Sequence, residues 1–319
     1  MSTPTTTPPE AAKKRDPTAP WPILQIRGLG VTFGGFQALT DVDLDARQGE
    51  VHFLIGPNGA GKTTLVDIIT GLTKPTTGSV KFDDQELTGH KEHRIVHMGV
   101  GRSFQAATVF ETLTVAENLD IAASFRMGLR SLLRQRRGMR PEVVEALEVT
   151  GLRDVADRPA GELAHGQKQW LEIGMLFTQK PRLLLLDEPV AGMSPDERTR
   201  TGELVRFVAK DCTVLVVEHD MDFMRRFADR VTVLHEGKVL KADATVAEVQ
   251  ADATVQEVYI GRAKDDRNSV SRGAADAGEA PFAPPADDPD APGPAPLDAG
   301  VTDAPGAPPA SATTKEEDA

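Results

Sequence analysis

A glycine-rich segment has the residue types and spacing to bind a phosphorylated ligand. It consists of Gly56, Pro57, Asn58, Gly59, Ala60, Gly61, Lys62, Thr63 and Thr64. Glycines leave successive backbone N–H groups free to surround phosphate oxygens, and a helix beginning there directs its positive end at them. Lys62 could neutralise the β and γ phosphates of a nucleotide, and the Thr63 hydroxyl could hold Mg²⁺. An apolar run precedes the segment and a helical pattern follows it, which argues against a simple connecting turn.

Two further segments could supply the acid–base chemistry of a hydrolysis. The apolar run Leu183 to Leu186 ends in Asp187 and Glu188. Adjacent side chains at a strand end point in different directions, so Asp187 could support a Mg²⁺ shell while Glu188 activates a water as general base. A solvated acidic loop is the alternative. Another apolar run ends in Glu218 and His219, and the His219 imidazole would lie near the same γ-phosphate.

The elements that must position these groups can be predicted from the apolar runs. Val51 to Ile55, Leu183 to Leu186 and Val214 to Val217 have the length and composition of buried strands. Such runs, separated by helical patterns, predict a parallel sheet that binds ligands beyond the carboxyl ends of its strands. Residues 231–240 predict a hairpin that turns at Glu236 and Gly237.

Helix signals lie both between the first two of these strands and after the second. Thr114 with Glu117, and Ser194 with Glu197, form predicted capping boxes at two helix starts. Residues 114–180 are predicted to be mostly helical, which favours a helical subdomain inserted into an α/β core.

Composition divides the chain into a folded centre and two tails. Residues 1–22 are rich in Thr and Pro, and residues 262–319 are rich in Ala, Pro and Asp. Both have too little apolar surface to offset the entropy of ordering, so they are predicted to be disordered. Residues 23–261 are the predicted nucleotide-binding domain.

Composition also limits the compartment and the partners. Cys212 is the only cysteine, so no intrachain disulfide can form and a reducing compartment is expected. The apolar runs stop far short of the about 20 residues that span a bilayer, and the N-terminus has no secretion pattern. The net charge of −12 offers no general attraction for nucleic acid. We therefore expect a cytoplasmic protein.

Together with the segment between them, these motifs resemble the nucleotide-binding subunits of ABC transporters. Leu163, Ala164, His165, Gly166 and Gln167 stand where that family carries the signature Leu-Ser-Gly-Gly-Gln or a variant. The resemblance covers residues 23–261. It implies a phosphate-loop α/β core with an antiparallel β subdomain and a helical subdomain at about residues 110–180. It also implies that two subunits enclose two ATP molecules, each signature closing over the ATP of the other subunit.

The resemblance also assigns roles to single residues. Phe33 corresponds to the aromatic that stacks on adenine, Gln105 to the glutamine that contacts Mg²⁺, and His219 to the switch histidine. A core role for Phe33 or Phe36 and a plain surface role for Gln105 are the alternatives. Ala164 replaces the usual signature serine, which removes a charge-assisted hydrogen bond of about 1.5–3 kcal/mol to the opposing γ-phosphate.

A second departure from the family lies after the acidic pair. Ser194 stands where many members have an aspartate, and helix capping explains its hydroxyl. The departure puts coupling between the two ATP sites in doubt.

Residues 165–175 and 183–193 more closely resemble the ATP-binding subunits of urea importers, within the branched-chain amino-acid importer group. The expected function is therefore ATP hydrolysis coupled to uptake of a small solute, with urea as the main prediction and a branched-chain amino acid or short amide as the alternative. The expected partners are a like or unlike ATPase subunit, membrane permease subunits and, indirectly, a solute-binding protein, at the inner face of the cell membrane. A soluble ABC ATPase acting on nucleic acid or ribosomes and a phosphate-loop kinase are the rival functions.

Overall fold

The computed structural model describes residues 22–103, 108–125 and 138–258. Four strands form an antiparallel sheet in the order β2-β1-β4-β5. They are β1 (Pro22–Phe33), β2 (Phe36–Arg47), β4 (Thr77–Phe82) and β5 (Gln85–Glu86). A tight hairpin joins β1 to β2, because Gly34 and Gly35 both adopt positive φ angles, which glycine tolerates without steric cost.

Six strands form the second sheet, in the order β10-β9-β3-β8-β7-β6. They are β3 (Val51–Ile55), β6 (Val100–Arg102), β7 (Leu183–Asp187), β8 (Thr213–Glu218), β9 (Arg230–His235) and β10 (Lys238–Ala244). The neighbours from β9 to β6 pair in parallel, and β10 pairs antiparallel with β9. The three apolar runs are thus adjacent buried strands, and the hairpin at residues 236–237 is present. Both predictions are confirmed.

The described residues contain eight α-helices, of which the last follows β10. They are α1 (Lys62–Ile69), α2 (Glu92–Met98), α3 (Val115–Ser124), α4 (Pro141–Thr150), α5 (His165–Thr178), α6 (Pro195–Val208), α7 (Met221–Phe227) and α8 (Val246–Ala251). Thr114 and Ser194 form the predicted capping boxes with Glu117 and Glu197. None of the helices described is long and apolar enough to cross a membrane.

The six-stranded sheet separates two apolar cores, because alternate residues of a strand face opposite sides. Phe53 packs into the core that contains the helices of the 114–180 interval, whereas Leu54 packs into the core shared with α1 and the antiparallel sheet. Within the helical interval α5 crosses closely over α3 and α4. A Cβ added at Gly174 would lie 2.9 Å from Thr150 and 3.2 Å from Leu119. The described part of the predicted helical interval is therefore a packed layer on one face of the sheet.

Candidate active site

The glycine-rich segment joins the carboxyl end of β3 to the first turn of α1, as the sequence predicts. Gly61 is the N-cap of α1 with φ 101°, and a Cβ there would lie 2.5 Å from Leu39 Cδ2. A Cβ added at Gly56 would lie 2.2 Å from the carbonyl oxygen of Leu234. No other residue type fits either position without moving backbone or core atoms. The loop is therefore a backbone cradle held tightly against its surroundings.

Lys62 lies across this loop. Its side chain is only 6% exposed, and Nζ donates hydrogen bonds to the carbonyl oxygens of Gly56 at 2.6 Å and Pro57 at 3.1 Å. Asn58, Gly59 and Thr63 are exposed on the outer side of the loop. An ammonium group, a helix N-terminus and the backbone amides of a glycine-rich loop together suit a phosphate group.

The acidic pair lies at the carboxyl end of β7. Asp187 is 3% exposed, while Glu188 is half-buried and has a left-handed backbone, with φ 50°. Burial raises the pKa of Asp187, and the charges of Glu188 and Asp67 raise it further, whereas those of Arg102 and Lys62 lower it. A divalent cation would stabilise the charge of a buried carboxylate that lies among other carboxylates, so Asp187 fits its predicted role as a Mg²⁺ ligand.

Arg102 and Ser103 support Asp187, and sequence reasoning missed both. Arg102 Nη2 lies 3.7 Å from Asp187 Oδ2, while its Nη1 is 2.6 Å from Asp67 Oδ1. The backbone N–H of Asp187 donates to Ser103 Oγ at 3.2 Å. The available signal was the position of Arg102 and Ser103 just before Gln105 in the sequence, but Asp187 lies far away along the chain.

His219 meets the acidic pair across the end of the neighbouring strand β8. Its Nδ1 lies 3.4 Å from Glu188 Oε1, and its side chain is exposed. The N–H of Glu188 donates to the carbonyl oxygen of Val217 at 2.9 Å, which fixes the loop after β7 to β8. The structure therefore brings together the predicted general base and the predicted γ-phosphate ligand.

The two aromatics of the β1–β2 hairpin are both open to solvent. Phe33 is 50% exposed and Phe36 is 70% exposed. The alternative that either ring is a core residue is therefore wrong, and both are free to stack on a planar ligand. Gln105 lies outside the described residues.

The predicted signature begins the helix α5. Leu163 and Gly166 are buried, whereas Ala164 and His165 are exposed. The N–H of Ala164 donates to Gln167 Oε1 at 3.1 Å, but alanine has no hydroxyl to return the second bond of a capping box. His165 Nε2 lies 3.2 Å from the carbonyl oxygen of Ala191. The signature is thus connected to the loop that follows Glu188.

The predicted hairpin at Gly237 has a contact that the sequence did not indicate. The N–H of Gly237 donates to the carbonyl oxygen of Ala60 at 3.0 Å, and its carbonyl oxygen accepts from the N–H of Thr40 at 2.8 Å. A Cβ at this glycine would lie 2.5 Å from the carbonyl oxygen of Ala38. The turn therefore joins the phosphate-binding loop to the antiparallel sheet.

A phosphate-binding loop, two carboxylates and an imidazole, all at the carboxyl ends of parallel strands, define a phosphate-loop ATPase. Comparison with known proteins makes this class specific. A sequence profile described as ABC transporter matches residues 39–191. The high-affinity branched-chain amino acid transport ATP-binding protein BraF of Pseudomonas aeruginosa is 38% identical over 76% of this chain and 99% of its own length. The chain belongs to the ABC transporter family, as its ATP-binding ATPase component.

Further relatives and solved structures agree. The probable branched-chain amino acid transport ATP-binding protein LivG of Methanocaldococcus jannaschii is 32% identical over 75% of this chain and 97% of its own. The crystal structure of the ADP conformation of MJ1267, an ATP-binding cassette of an ABC transporter, matches with a TM-score of 0.65 and 31% identity, over 76% of this chain and 99% of that one. The predicted fold and family are confirmed. The relatives' names favour the branched-chain alternative over the main prediction of urea.

Proposed function

We propose that this chain is the ATP-hydrolysing subunit of an ABC importer and acts at the inner face of the cell membrane. The single observation that carries the proposal is the meeting of Glu188 Oε1 and His219 Nδ1, 3.4 Å apart, at the sheet edge where Lys62 and Asp187 also lie. Hydrolysis of a phosphoanhydride needs a positioned water and neutralised phosphate charge, and these side chains can provide both.

Each group has a distinct task in this proposal. Lys62 and the loop amides bind the β and γ phosphates, and Glu188 orients and deprotonates the attacking water. His219 donates a hydrogen bond to the γ-phosphate as its bond to the β-phosphate breaks. Thr63, Asp187 and Gln105 would hold Mg²⁺, which supplies positive charge to the phosphates when it is bound. Phe33 stacks on adenine.

The signature is proposed to act on the ATP of a second ATPase subunit. Ala164 and His165 are exposed at the N-terminal end of α5, where the helix dipole favours a phosphate. The residues proposed to bind ATP in trans are Leu163, Ala164, His165, Gly166 and Gln167. Permease subunits and a solute-binding protein complete the proposed assembly, with no role for nucleic acid.

For the transported solute, we propose a branched-chain amino acid or a short amide. The names of the relatives support the branched-chain amino acid. Urea is the second candidate, because residues 165–175 and 183–193 resemble the ATPases of urea importers. Deleting the gene and measuring uptake of labelled leucine and labelled urea separates the two. Loss of leucine uptake alone supports the first candidate, and loss of urea uptake alone supports the second.

The ATPase proposal is tested with Glu188→Gln, using Glu203→Gln on the exposed face of α6 as the matched control. Loss of a general base lowers turnover by about 10²–10⁴-fold. We expect this loss in Glu188→Gln, with ATP still bound and an ATP-dependent dimer in gel filtration or crosslinking. Wild-type turnover in Glu188→Gln, or a strictly monomeric ATP-loaded form beside every candidate partner, would contradict the proposal. Copurification with RNA rather than with permease subunits would favour the soluble rival.

A further inference from the structure

The buried carboxylate at the end of β8 belongs to neither the phosphate loop nor the predicted catalytic set. Glu218 is the last residue of the strand, pairs with Ile55 of β3 and is 1% exposed. Full burial of a carboxylate is costly unless hydrogen bonds compensate for lost water. Its position, one residue before His219, places its bonds at the edge of the active site.

Glu218 accepts hydrogen bonds from two different loops. Its Oε2 accepts from the backbone N–H groups of His219 at 3.0 Å and Asp220 at 3.3 Å, in the loop after β8. Its Oε1 accepts from the N–H of Val190 at 3.4 Å, in the loop after β7. The second loop carries Glu188. One carboxylate therefore joins the segments that hold the proposed base and the proposed γ-phosphate ligand.

These amides need such an acceptor because the strand ladder stops where they begin. The parallel pairing between β3 and β8 ends at Glu218, and that between β7 and β8 ends at Val217. Beyond these points, the backbone N–H of Glu188 still reaches the carbonyl oxygen of Val217, whereas the N–H groups of Val190, His219 and Asp220 are bonded to the Glu218 side chain. Glu218 serves both loops through different oxygens, so a change in its side chain alters the distance between them.

We propose that Glu218 is a positioning residue for ATP hydrolysis, which sets the separation of Glu188 and His219 by holding both of their loops. This proposal rests on the proposed roles of those two residues. Glu218 itself need not touch the nucleotide. Its contribution is to keep the 3.4 Å approach between Glu188 Oε1 and His219 Nδ1 when the site is in use.

The decisive variant is Glu218→Gln, which keeps the size of the side chain but replaces one acceptor oxygen with an NH₂ donor. One loop then faces a donor instead of an acceptor. We expect kcat for ATP to fall by about 10- to 100-fold, the size of effect that a misplacement of about 1 Å produces, while KM for ATP stays within about twofold. Glu218→Asp, which keeps the charge but is too short to reach both loops, should lower kcat in the same range.

Glu86→Gln is the matched control, because Glu86 Oε1 also accepts two backbone N–H groups, from Val80 and Thr88 at 3.2 Å each, in the antiparallel sheet. Its kcat should equal that of the wild type. A second readout is the double variant of Glu218→Gln with His219→Ala. If Glu218 acts through His219 and Glu188, adding Glu218→Gln to His219→Ala should lower kcat by less than a further twofold.

The outcomes are distinct for this inference and for the ATPase proposal. The ATPase proposal is contradicted if the wild-type chain does not hydrolyse ATP or if Glu188→Gln hydrolyses it at the wild-type rate. The positioning role is tested only if the wild type is active and Glu188→Gln is inactive. In that case, a wild-type kcat in either folded Glu218 variant overturns the positioning role. The positioning role is also overturned if the fold-loss of kcat in the double variant equals the product of the losses in Glu218→Gln and His219→Ala. Such a product shows that the two sites act independently, because independent effects are additive in free energy.

Discussion

The left-handed backbone at Glu188 predicts that the proposed catalytic base lowers the stability of the fold. Its φ of 50° is a conformation that costs most L-residues about 1–2 kcal/mol, and Asn tolerates it better because its short side chain bonds locally. Glu188→Asn should therefore be more stable than Glu188→Gln by about 1 kcal/mol. For a folded part of about 240 residues this difference corresponds to about 2–4 °C in Tm.

The comparison of the two amides isolates the backbone. Both remove the negative charge that raises the pKa of Asp187, so relief of that repulsion cancels between them. The hydrogen bond from the N–H of residue 188 to the carbonyl oxygen of Val217, 2.9 Å in the wild type, is available to both. What differs is one methylene group of the side chain and the preference of each side chain for the left-handed region.

The assay is thermal unfolding without nucleotide, since bound ATP would add stability by mass action and obscure a difference of this size. ATPase rates of the same samples should fall by about 10²–10⁴-fold in both variants. Equal Tm values for Glu188→Asn and Glu188→Gln would refute the argument from strain. Near-normal turnover in either would refute the assignment of the base.

Three further predictions concern stability and reactivity. Ala164→Ser supplies the missing N-cap hydroxyl of α5, so Tm should rise by about 2–4 °C, the equivalent of about 1 kcal/mol. ATP-dependent dimerisation should also strengthen. An unchanged Tm would contradict the capping argument. Gly202→Ala would place a Cβ 2.1 Å from the ring of Phe227. Overpacking of this kind costs about 1–3 kcal/mol, so calorimetry should show a lower Tm. Burial raises the pKa of the Cys212 thiol to about 12, so a thiol reagent at pH 8 should react only after unfolding. Rapid labelling of the native protein would contradict this prediction, because it would show that the thiol is accessible.

Sequence reasoning predicted those parts of the site that are contiguous in the chain. The phosphate-binding loop and the acidic pair are each defined by a few successive residues between a strand and a helix, and the structure has them in that context. The capping boxes at Thr114 and Ser194 are likewise local, since each N-cap and its partner lie within one turn. Local patterns of this kind contain both partners of the interaction.

The contacts that the sequence did not reveal join residues that are distant along the chain. Arg102 reaches Asp187 across β6 and β7, and the N–H of Gly237 reaches Ala60 across β9 and β3. No periodicity or motif connects such pairs, because their approach depends on strand order. Sequence predicted that the strands are parallel but left open which strands are neighbours. Once the order is known, both contacts follow from which strand ends are adjacent.

The strand order also determines the charge balance of the site. Two cationic and three carboxylate side chains act on one another here, namely Lys62, Arg102, Asp67, Asp187 and Glu188. Lys62 is bonded to loop carbonyls and Arg102 to Asp67, so neither cation is committed only to an incoming triphosphate. Carboxylates outnumber cations, and they would repel a polyphosphate that arrived without its metal. In the proposed site, the loop amides and the N-terminal end of α1 therefore add to the affinity that Lys62 gives for the phosphates, while the carboxylates favour a nucleotide that carries a divalent cation.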